Sequence, residues 1–477
     1  MQPGGSCTYP NAQPRTDVLL VLAIVTQATP CLTPPPAQWI DAVGGAKVPL
    51  NRMLTAGEIA FILADCGASV AIADALMVAP ALAADAPLLR HVIAVDDPAP
   101  GMLSWASLLD RESVASRLPD ARPRPEDPAI ILYTGGTTGR PKGVVHSQHG
   151  LAVNLLAHLA ETGLLDDERL LLTTPLAHAA GSLAQSGLLK GGTIYLEDRF
   201  DPDAVLDRIQ SDRITFTFMV PTMIYRLLDK LAGHDADLTS LRTVLYGAAP
   251  IARDRLEEGL RRLGPVFMQL YGQTEAPNFI ARLTREDHDL SRPERLTSCG
   301  RHSLLMDVAV LGPDGTRLAP GQPGEICVCG PYVMTGYHNL PGKTAEVLQD
   351  GWLHTGDIGF IDEHAFIHLL DRKNDMIITG GMNVYSAEVE NVPAECPGVS
   401  QVAVVGLPHP DWGEAVAAFV VAAEAGFDAG QAADYCRARL AAYKRPKVYV
   451  TVGSLPTTPY GKADKKALRT HQWSDLT

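Results

Sequence analysis

The sequence predicts a large layered α/β domain that includes a small antiparallel β subdomain, followed by a small α+β domain. Three observations predict this fold class. The chain has 477 residues, which exceeds the usual size of one domain. Up to about residue 270, apolar runs of strand length alternate with segments of helical periodicity. Residues 388–452 then combine short strand patterns with one helical pattern, at 432–441.

The first 43 residues give the weakest pattern. They are rich in Pro, Thr and Gln, and we expect a loop or an irregular segment there. The apolar run at 18–25 is too short to cross a bilayer and follows a single positive charge, Arg15, which favours a buried strand over a signal peptide. Residues 56–64 then have the periodicity of a helix.

Residues 133–144 form a glycine-rich segment. It follows a strand-type run at 129–132 and precedes a helical pattern at 151–159, so the predicted layout is strand, loop, helix. Its four glycines allow close approach to a ligand, its three threonines offer hydroxyl groups and Lys142 adds a cation, all of which suit a polyphosphate. The spacing does not fit the Walker loop, which disfavours a P-loop NTPase. On glycine content alone, an ordinary surface turn is an equal alternative.

The order of residue types says more than the glycine content. Residues 133–144 resemble the signature Tyr-Thr-Ser-Gly-Thr-Thr-Gly-x-Pro-Lys-Gly of the acyl-adenylate-forming superfamily, the AMP-dependent synthetases and ligases that include acyl-CoA synthetases. Gly135 replaces the usual serine, which removes one hydroxyl contact to phosphate. The resemblance implies that the segment binds the phosphates of ATP through Thr134, Gly135, Gly136, Thr137, Thr138, Gly139 and Lys142.

The α/β alternation continues and leads to two further signatures. Asp201 is a suitable N-cap for a helix through residue 209, and strand patterns follow at 214–219, 244–246 and 266–270. The residues after the last two strands resemble the adenine-binding loop of the family and its Tyr-Gly-x-Thr-Glu signature. Without the resemblance, these would be an ordinary turn and a surface acid. By resemblance, Thr274 lies near the α-phosphate and Glu275 binds Mg²⁺. The residues implied to contact the adenine are Gly247, Ala248, Ala249, Tyr271 and Gly272.

His178 follows a strand pattern at 170–174. From residue types alone, one histidine in an apolar segment is more often a core residue than a ligand. By resemblance, its side chain faces the substrate carboxylate and the acyl pocket. Amino-acid-activating relatives use an Asp in this region, where this chain has only alanines, and a plain carboxylic acid is therefore favoured.

The remaining signatures lie towards the C-terminus. The resemblance implies an AMP-binding domain at 1–371, whose first 43 residues are divergent or truncated, and a mobile domain at 372–477 with a hinge near 372–374. Asn374 stands at the pivot, where relatives usually have Lys or Asp. By resemblance, Asp357 and Arg372 bind the ribose, and Gly380 and Gly381 enter the site for the thioester step. Contacts with CoA are implied for Trp412, Arg445 and Lys447. The implied catalytic lysine is Lys462.

Composition excludes some partners. The net charge of −14 argues against nucleic acid and against an anionic membrane surface, and we expect no stable membrane insertion. Eight cysteines without a Cys-x-x-Cys pair are typical of reduced thiols in a cytoplasmic protein, and they give no zinc motif. The sequence leaves open whether the chain forms a homodimer.

The signatures together imply an ATP- and Mg²⁺-dependent carboxylic acid–CoA ligase, acting on a fatty or an aromatic acid. Two alternatives stay open at this point. One is an acyl-AMP ligase that loads a carrier protein, and the other is a catalytically silent member of the superfamily that serves as a binding or scaffold protein. The basic segment around Arg445 favours free CoA over a carrier protein.

Overall fold

The computed structural model describes most of the chain after residue 44. The described residues are 45–51, 54–73, 88–95, 97–109, 123–134, 141–231, 233, 236–373, 375–423, 426–457 and 463–470, with the backbone of a strand at Val21–Val25. They form two compact units, residues 1–308 with 328–353 and residues 309–327 with 354–477. The predicted boundary after residue 371, where a mobile domain would begin, stays a prediction.

The described strands and helices are numbered in chain order. The strands are β1 (Val21–Val25), β2 (Ala46–Pro49), β3 (Val70–Ala73), β4 (His91–Ala94), β5 (Leu103–Ser104), β6 (Pro128–Thr134), β7 (Lys142–Ser147), β8 (Arg169–Leu172), β9 (Thr193–Leu196), β10 (Phe216–Met219), β11 (Thr243–Tyr246), β12 (Phe267–Gln273), β13 (Ala276–Leu283), β14 (Arg301–His302), β15 (Asp307–Leu311), β16 (Gly324–Cys329), β17 (Gly336–Tyr337), β18 (Leu348–Gln349), β19 (Trp352–Ile361), β20 (Ile367–Arg372), β21 (Ile377–Thr379), β22 (Met382–Val384), β23 (Val399–His409), β24 (Gly413–Ala422) and β25 (Val448–Val452). The helices are α1 (Ala56–Asp65), α2 (Trp105–Leu109), α3 (Gln148–Thr162), α4 (Ala179–Leu189), α5 (Pro202–Ser211), α6 (Pro221–Leu231), α7 (Arg253–Leu263), α8 (Pro341–Val347), α9 (Ser386–Ala394), α10 (Ala429–Arg439) and α11 (Lys465–Thr470).

The first unit contains two large mixed sheets. One has the strand order β17–β7–β6–β2–β1–β3–β4–β5, with parallel pairing from β6 to β5 and antiparallel pairing at β7 and β17. The other has the order β14–β13–β12–β11–β10–β8–β9, parallel from β9 to β12 and antiparallel at β13 and β14. Parallel neighbours need long connections, and helices α4 to α7 supply them in the second sheet.

Burial on both faces explains why the strands of the second sheet were readable as apolar runs. Leu170 and Phe218 pack into a cluster on one face, while Leu171 and Met219 pack into a cluster on the other. The N-cap prediction for α5 is confirmed, because Asp201 accepts a hydrogen bond from the backbone of Ala204 at 3.1 Å. The predicted α/β class is therefore confirmed for this unit.

One predicted layout is wrong. The glycine-rich segment does not lead directly into a helix, because residues Lys142–Ser147 form strand β7, antiparallel to β6. Helix α3 begins only at Gln148, where Ser147 caps it by accepting from the backbone of Gly150 at 3.0 Å. Gly143 lets the strands pair closely, since a Cβ atom there would lie 2.8 Å from Ile131. The two described ends of the segment therefore belong to antiparallel strands, and its residues 135–140 lie outside the described part.

Two smaller sheets complete the fold. One has the order β15–β16–β19–β18, with β20 also paired to β19. The other, in the second unit, has the order β22–β21–β24–β23 with β25 parallel to β24, and it packs with α9 and α10. Both the antiparallel β subdomain and the C-terminal α+β domain are confirmed by this arrangement.

The cysteine and membrane predictions can be compared with the described residues. Five cysteines are free thiols, as predicted: Cys66, Cys299, Cys327, Cys396 and Cys436. Cys329 is disulfide-bonded, contrary to the expectation of reduced thiols throughout. Among the helices that the structure describes, none is long and apolar enough to cross a membrane.

Candidate active site

The β6–β7 hairpin positions the two described ends of the glycine-rich segment. Thr134 ends β6 and pairs in register with Lys142, the first residue of β7, so both flank the loop. The Lys142 ammonium lies 4.4 Å from the ring centroid of Tyr337, a cation–π contact that restrains its side chain. Both residues are half-buried. The hairpin therefore presents a hydroxyl and a cation at the base of the predicted phosphate loop.

Glu275 lies in the tight connection between β12 and β13, and a tyrosine orients its carboxylate. The Tyr337 hydroxyl donates to Glu275 Oε1 at 2.7 Å. Burial and the adjacent carboxylate raise the pKa of Tyr337, so the phenol stays protonated and remains a donor. Among the described residues, the second carboxylate oxygen of Glu275 has no hydrogen-bond donor, which leaves it available to a cation.

A buried histidine fixes the same turn from the other side. The Nε2–H of His146 donates to the carbonyl of Thr274 at 2.8 Å. Burial lowers the pKa of His146 to about 4, so the ring is neutral at physiological pH. The predicted α-phosphate ligand and the predicted metal ligand are therefore held in one turn by two side chains from the first sheet.

The two predicted adenine segments end adjacent parallel strands, β11 and β12, and so meet at one sheet edge. Ala248 has a φ of +66°, a left-handed conformation that costs a non-glycine residue energy and clusters at functional sites. Gly247 packs so closely on β12 that a Cβ atom would lie 2.7 Å from the Leu270 carbonyl. At Gly272, a Cβ atom would lie 2.6 Å from the backbone nitrogen of Asn278. Both glycines are required by close backbone packing.

His178 immediately precedes helix α4 and is exposed. Its Nε2 lies 3.5 Å from the amide nitrogen of Asn51. Its side chain makes no capping hydrogen bond to the helix. His178 is thus not part of the buried core, although partial desolvation lowers its pKa.

In the second unit, the two predicted ribose ligands lie together. Asp357 and Arg372 are register partners on β19 and β20, and the Arg372 Nε lies 2.7 Å from Asp357 Oδ1. Asp357 is buried, whereas the Arg372 side chain is half exposed. Antiparallel pairing thus preorganises an acid and a base that are 15 residues apart in the sequence.

The predicted thioester-step residues partly converge within this unit. Gly380 and Gly381 have φ values of +56° and +78° and form the turn between β21 and β22. The Gly380 N–H donates to the Trp412 carbonyl at 2.8 Å, and the Lys447 ammonium lies 5.4 Å from the indole centroid. Arg445 has a different setting, because its guanidinium donates to two carbonyls at the end of α10, those of Leu440 and Arg437.

Some predicted residues lie outside the described part of the chain, and other important ones were missed. Lys462, Asn374 and loop residues 135–139 are among the former. The sequence did not predict a role for Tyr337 or His146. The only signal was the residue type, a phenol and an imidazole within strand patterns. Their contacts with the Glu275 turn span 62 and 128 residues and arise from tertiary packing alone.

The chain matches two sequence families and many known proteins. Residues 40–338 match the family described as AMP-binding enzyme, and residues 388–462 match the AMP-binding enzyme C-terminal domain. The chain is 42% identical over 451 residues to the medium/long-chain-fatty-acid–CoA ligase FadD8 of Mycobacterium tuberculosis, a match covering 91% of this chain and 78% of the relative. It is 41% identical over 429 residues to a feruloyl-CoA synthase of an Amycolatopsis species, covering 89% and 84%.

A solved structure agrees with these sequence matches. The crystal structure of ATP-bound MatB from Rhodopseudomonas palustris superposes with a TM-score of 0.83 at 30% identity, covering 95% of this chain and 88% of that one. The fold, the order of the signatures and the matches agree on one assignment, including ATP as a ligand. The chain belongs to the AMP-binding enzyme family, the adenylate-forming superfamily that its signatures predicted.

Proposed function

We propose that this protein is an AMP-forming acid–CoA ligase that activates a fatty or an aromatic carboxylic acid with ATP and Mg²⁺ and transfers the acyl group to CoA. Two relatives at about 40% identity over about 90% of the chain are acid–CoA ligases, one named for medium- and long-chain fatty acids and one for feruloyl-CoA. The observation that carries the chemistry is the Glu275 carboxylate, oriented by Tyr337 in a turn that His146 fixes.

The donor set at Glu275 fits Mg²⁺. This ion binds few protein carboxylates and completes its octahedral shell with water and phosphate oxygens. A single oriented carboxylate close to the predicted phosphate ligand Thr274 matches that requirement. When bound, Mg²⁺ would neutralise phosphate charge, while Tyr337 would keep the carboxylate in one orientation.

The first half-reaction needs alignment more than covalent help. A carboxylate oxygen of the acid attacks the α-phosphorus of ATP, and the bond to the pyrophosphate oxygen breaks, which yields acyl-AMP and pyrophosphate. His178 and the start of α4 provide a positive end for the acid, because the N-terminus of a helix attracts carboxylates. Lys142 and Lys462 are the cations assigned to the phosphates.

Asp357 and Arg372 are assigned to the ribose. A carboxylate can accept hydrogen bonds from both hydroxyl groups of a vicinal diol. The 2.7 Å pairing with Arg372 restrains Asp357 before the nucleotide arrives, so less conformational entropy is lost on binding.

The second half-reaction is assigned to the Gly380–Gly381 turn. In this scheme residues 372–477 rotate about Asn374, which withdraws Lys462 and brings the turn to the acyl-AMP. Trp412 is 40% exposed and stacks on His409 at 4.2 Å between ring centroids, so it offers a planar surface to adenine, with Lys447 as the adjacent cation. Arg445 holds the end of α10 and would contribute to CoA binding mainly by supporting this segment.

The test measures the two half-reactions, adenylation and thioester formation, separately. Lys462→Ala is expected to abolish pyrophosphate release from acid plus ATP but to retain conversion of supplied acyl-AMP and CoA to thioester. Lys343→Ala, which removes a surface lysine paired with Glu346, is the control and is expected to keep both activities. Equal loss of both halves in Lys462→Ala would contradict the assigned role.

Two further results distinguish the alternatives. Wild-type protein that forms no ATP-dependent hydroxamate with any fatty or aromatic acid would be a catalytically silent relative. Transfer of the acyl group to a carrier-protein thiol but not to CoA would identify a carrier-loading ligase.

A further inference from the structure

A cluster of sulfur, nitrogen and oxygen ligands in the second unit has no part in the proposed reaction. Glu325 and Cys327 lie two residues apart on β16, and therefore on one face of the strand. His354 lies on the neighbouring strand β19. One ligand atom from each of the three residues lies within 4.8 Å of the other two. We infer that Glu325, Cys327 and His354 form a binding site for a zinc-type divalent cation, separate from the proposed Mg²⁺ site.

The distances between ligand atoms fit a tetrahedral ion. Zinc bond lengths of about 2.3 Å to sulfur and about 2.0 Å to nitrogen or oxygen place ligand atoms about 3.3–3.6 Å apart at tetrahedral angles. Here His354 Nδ1 lies 3.5 Å from Cys327 Sγ and 3.1 Å from Glu325 Oε2. A hydrogen-bond network explains the cluster less completely, because the single Nδ1 atom faces both a thiol and a carboxylate, whereas one metal ion satisfies all three groups.

The donor chemistry selects the type of cation. Thiolate and imidazole ligands prefer zinc-type ions, whereas Mg²⁺ prefers oxygen alone. Three protein ligands leave a fourth position for water or another ligand. On binding, the Cys327 thiol loses its proton to solvent and its sulfur bonds to the metal.

The site also has electrostatic features that bear on affinity. Lys373 already places its ammonium 3.1 Å from Glu325 Oε2, and its side chain is 60% exposed and free to swing into solvent. Lys373 is thus the group that a metal would displace, and removing it should tighten metal binding.

Sequence reasoning found no zinc motif because the ligands do not form a contiguous pattern. The third ligand lies 27 residues after Cys327, and only strand pairing brings it close. The site would join β16 to β19 just before Asp357, since Glu325 Oε1 also accepts from the Gly356 N–H at 3.2 Å. Bound metal is therefore expected to stabilise this sheet.

The experiment titrates Co²⁺ into chelator-treated, reduced full-length protein in excess Mg²⁺. The expected result is one equivalent of bound Co²⁺ with a thiolate-to-cobalt charge-transfer band, which Zn²⁺ abolishes. Cys327→Ser should lose the band, and Cys436→Ser, which alters another fully buried free thiol, should keep it. His354→Gln should weaken binding at least about tenfold, because one of three ligands is lost.

Lys373→Gln is expected to bind Co²⁺ more tightly than wild type, whereas the ligand variants bind it more weakly. A misfolded variant could not show tighter binding. Thermal unfolding should likewise show stabilisation by Zn²⁺ in wild type and in Cys436→Ser but not in Cys327→Ser. Absence of the band in wild type, or the same band in Cys327→Ser, would overturn the proposal.

Discussion

The hydrogen bond from Tyr337 to Glu275 gives the sharpest prediction about Mg²⁺. Tyr337→Phe removes the hydroxyl and keeps the ring that lies against Lys142. A hydrogen bond to a charged group contributes about 1.5–3 kcal/mol, and loss of a residue that orients a metal ligand typically weakens metal binding about 10–100-fold. The two values agree, since about 1.4 kcal/mol corresponds to a factor of ten. We therefore expect Tyr337→Phe to raise the Mg²⁺ concentration for half-maximal activity about 10–100-fold, measured as pyrophosphate release at saturating ATP and acid.

Tyr332 offers a matched control for this measurement. It is also a buried tyrosine, and its hydroxyl donates to the carbonyl of Phe279 at 2.6 Å rather than to Glu275. Tyr332→Phe makes the same chemical change and is expected to lower stability without altering the Mg²⁺ dependence. An unchanged or tighter Mg²⁺ dependence in Tyr337→Phe would refute the idea that this phenol orients the metal ligand.

Two further predictions concern the first unit. Burial lowers the pKa of His146, His158 and His288 to about 4 each, so between pH 4 and the ordinary value near 6.5 the unfolded chain binds more protons than the folded one. The stability that these neutral histidines contribute is present above about pH 6.5 and is lost as the pH falls towards 4. We expect the free energy of unfolding, measured with urea, to be lower at pH 5 than at pH 7 by up to about 2 kcal/mol per histidine. A free energy of unfolding that does not change between these pH values would contradict this. Gly272→Ala should raise the KM for ATP and lower the melting temperature, because its Cβ atom would collide with the β13 backbone, whereas Gly57→Ala, where nothing lies within 4 Å, should leave both unchanged or slightly raise the melting temperature.

Much of the fold was predictable because its strands are local apolar runs buried on both faces. Helix α5 and strands β10, β11 and β12 are examples, since their patterns begin or end at a recognisable cap, proline or glycine. The pairing of β7 with β6 was missed for a physical reason. A short run such as Lys142–Ser147 becomes a strand only when a partner strand lies beside it, and its own composition does not specify that partner.

In the candidate site, too, residues within contiguous signatures could be predicted, whereas residues that act through tertiary contacts could not. Glu275, Asp357 and Arg372 belong to contiguous signatures, and the sequence could therefore propose their roles. Tyr337 and His146 act through contacts with distant residues, and no spacing in the chain encodes those contacts. For Arg445 the implied contact with CoA stays a prediction, and the contacts that the structure describes are those of its guanidinium with carbonyl groups at a helix end.

Strand β7 positions both the cation assigned to the phosphates and the turn assigned to the metal. Its first residue, Lys142, stands at the base of the predicted phosphate loop, and its fifth, His146, holds the turn that contains Thr274 and Glu275. The neighbouring strand β17, paired with β7 at Val144 and Val145, supplies Tyr337. One strand and its neighbour therefore set the distance between the groups assigned to phosphate and those assigned to the metal. Because side chains alternate between the faces of a strand, inserting one residue between Lys142 and His146 would place these two side chains on opposite faces, so that the phosphate cation and the residue that holds the Glu275 turn could no longer act on the same side of β7.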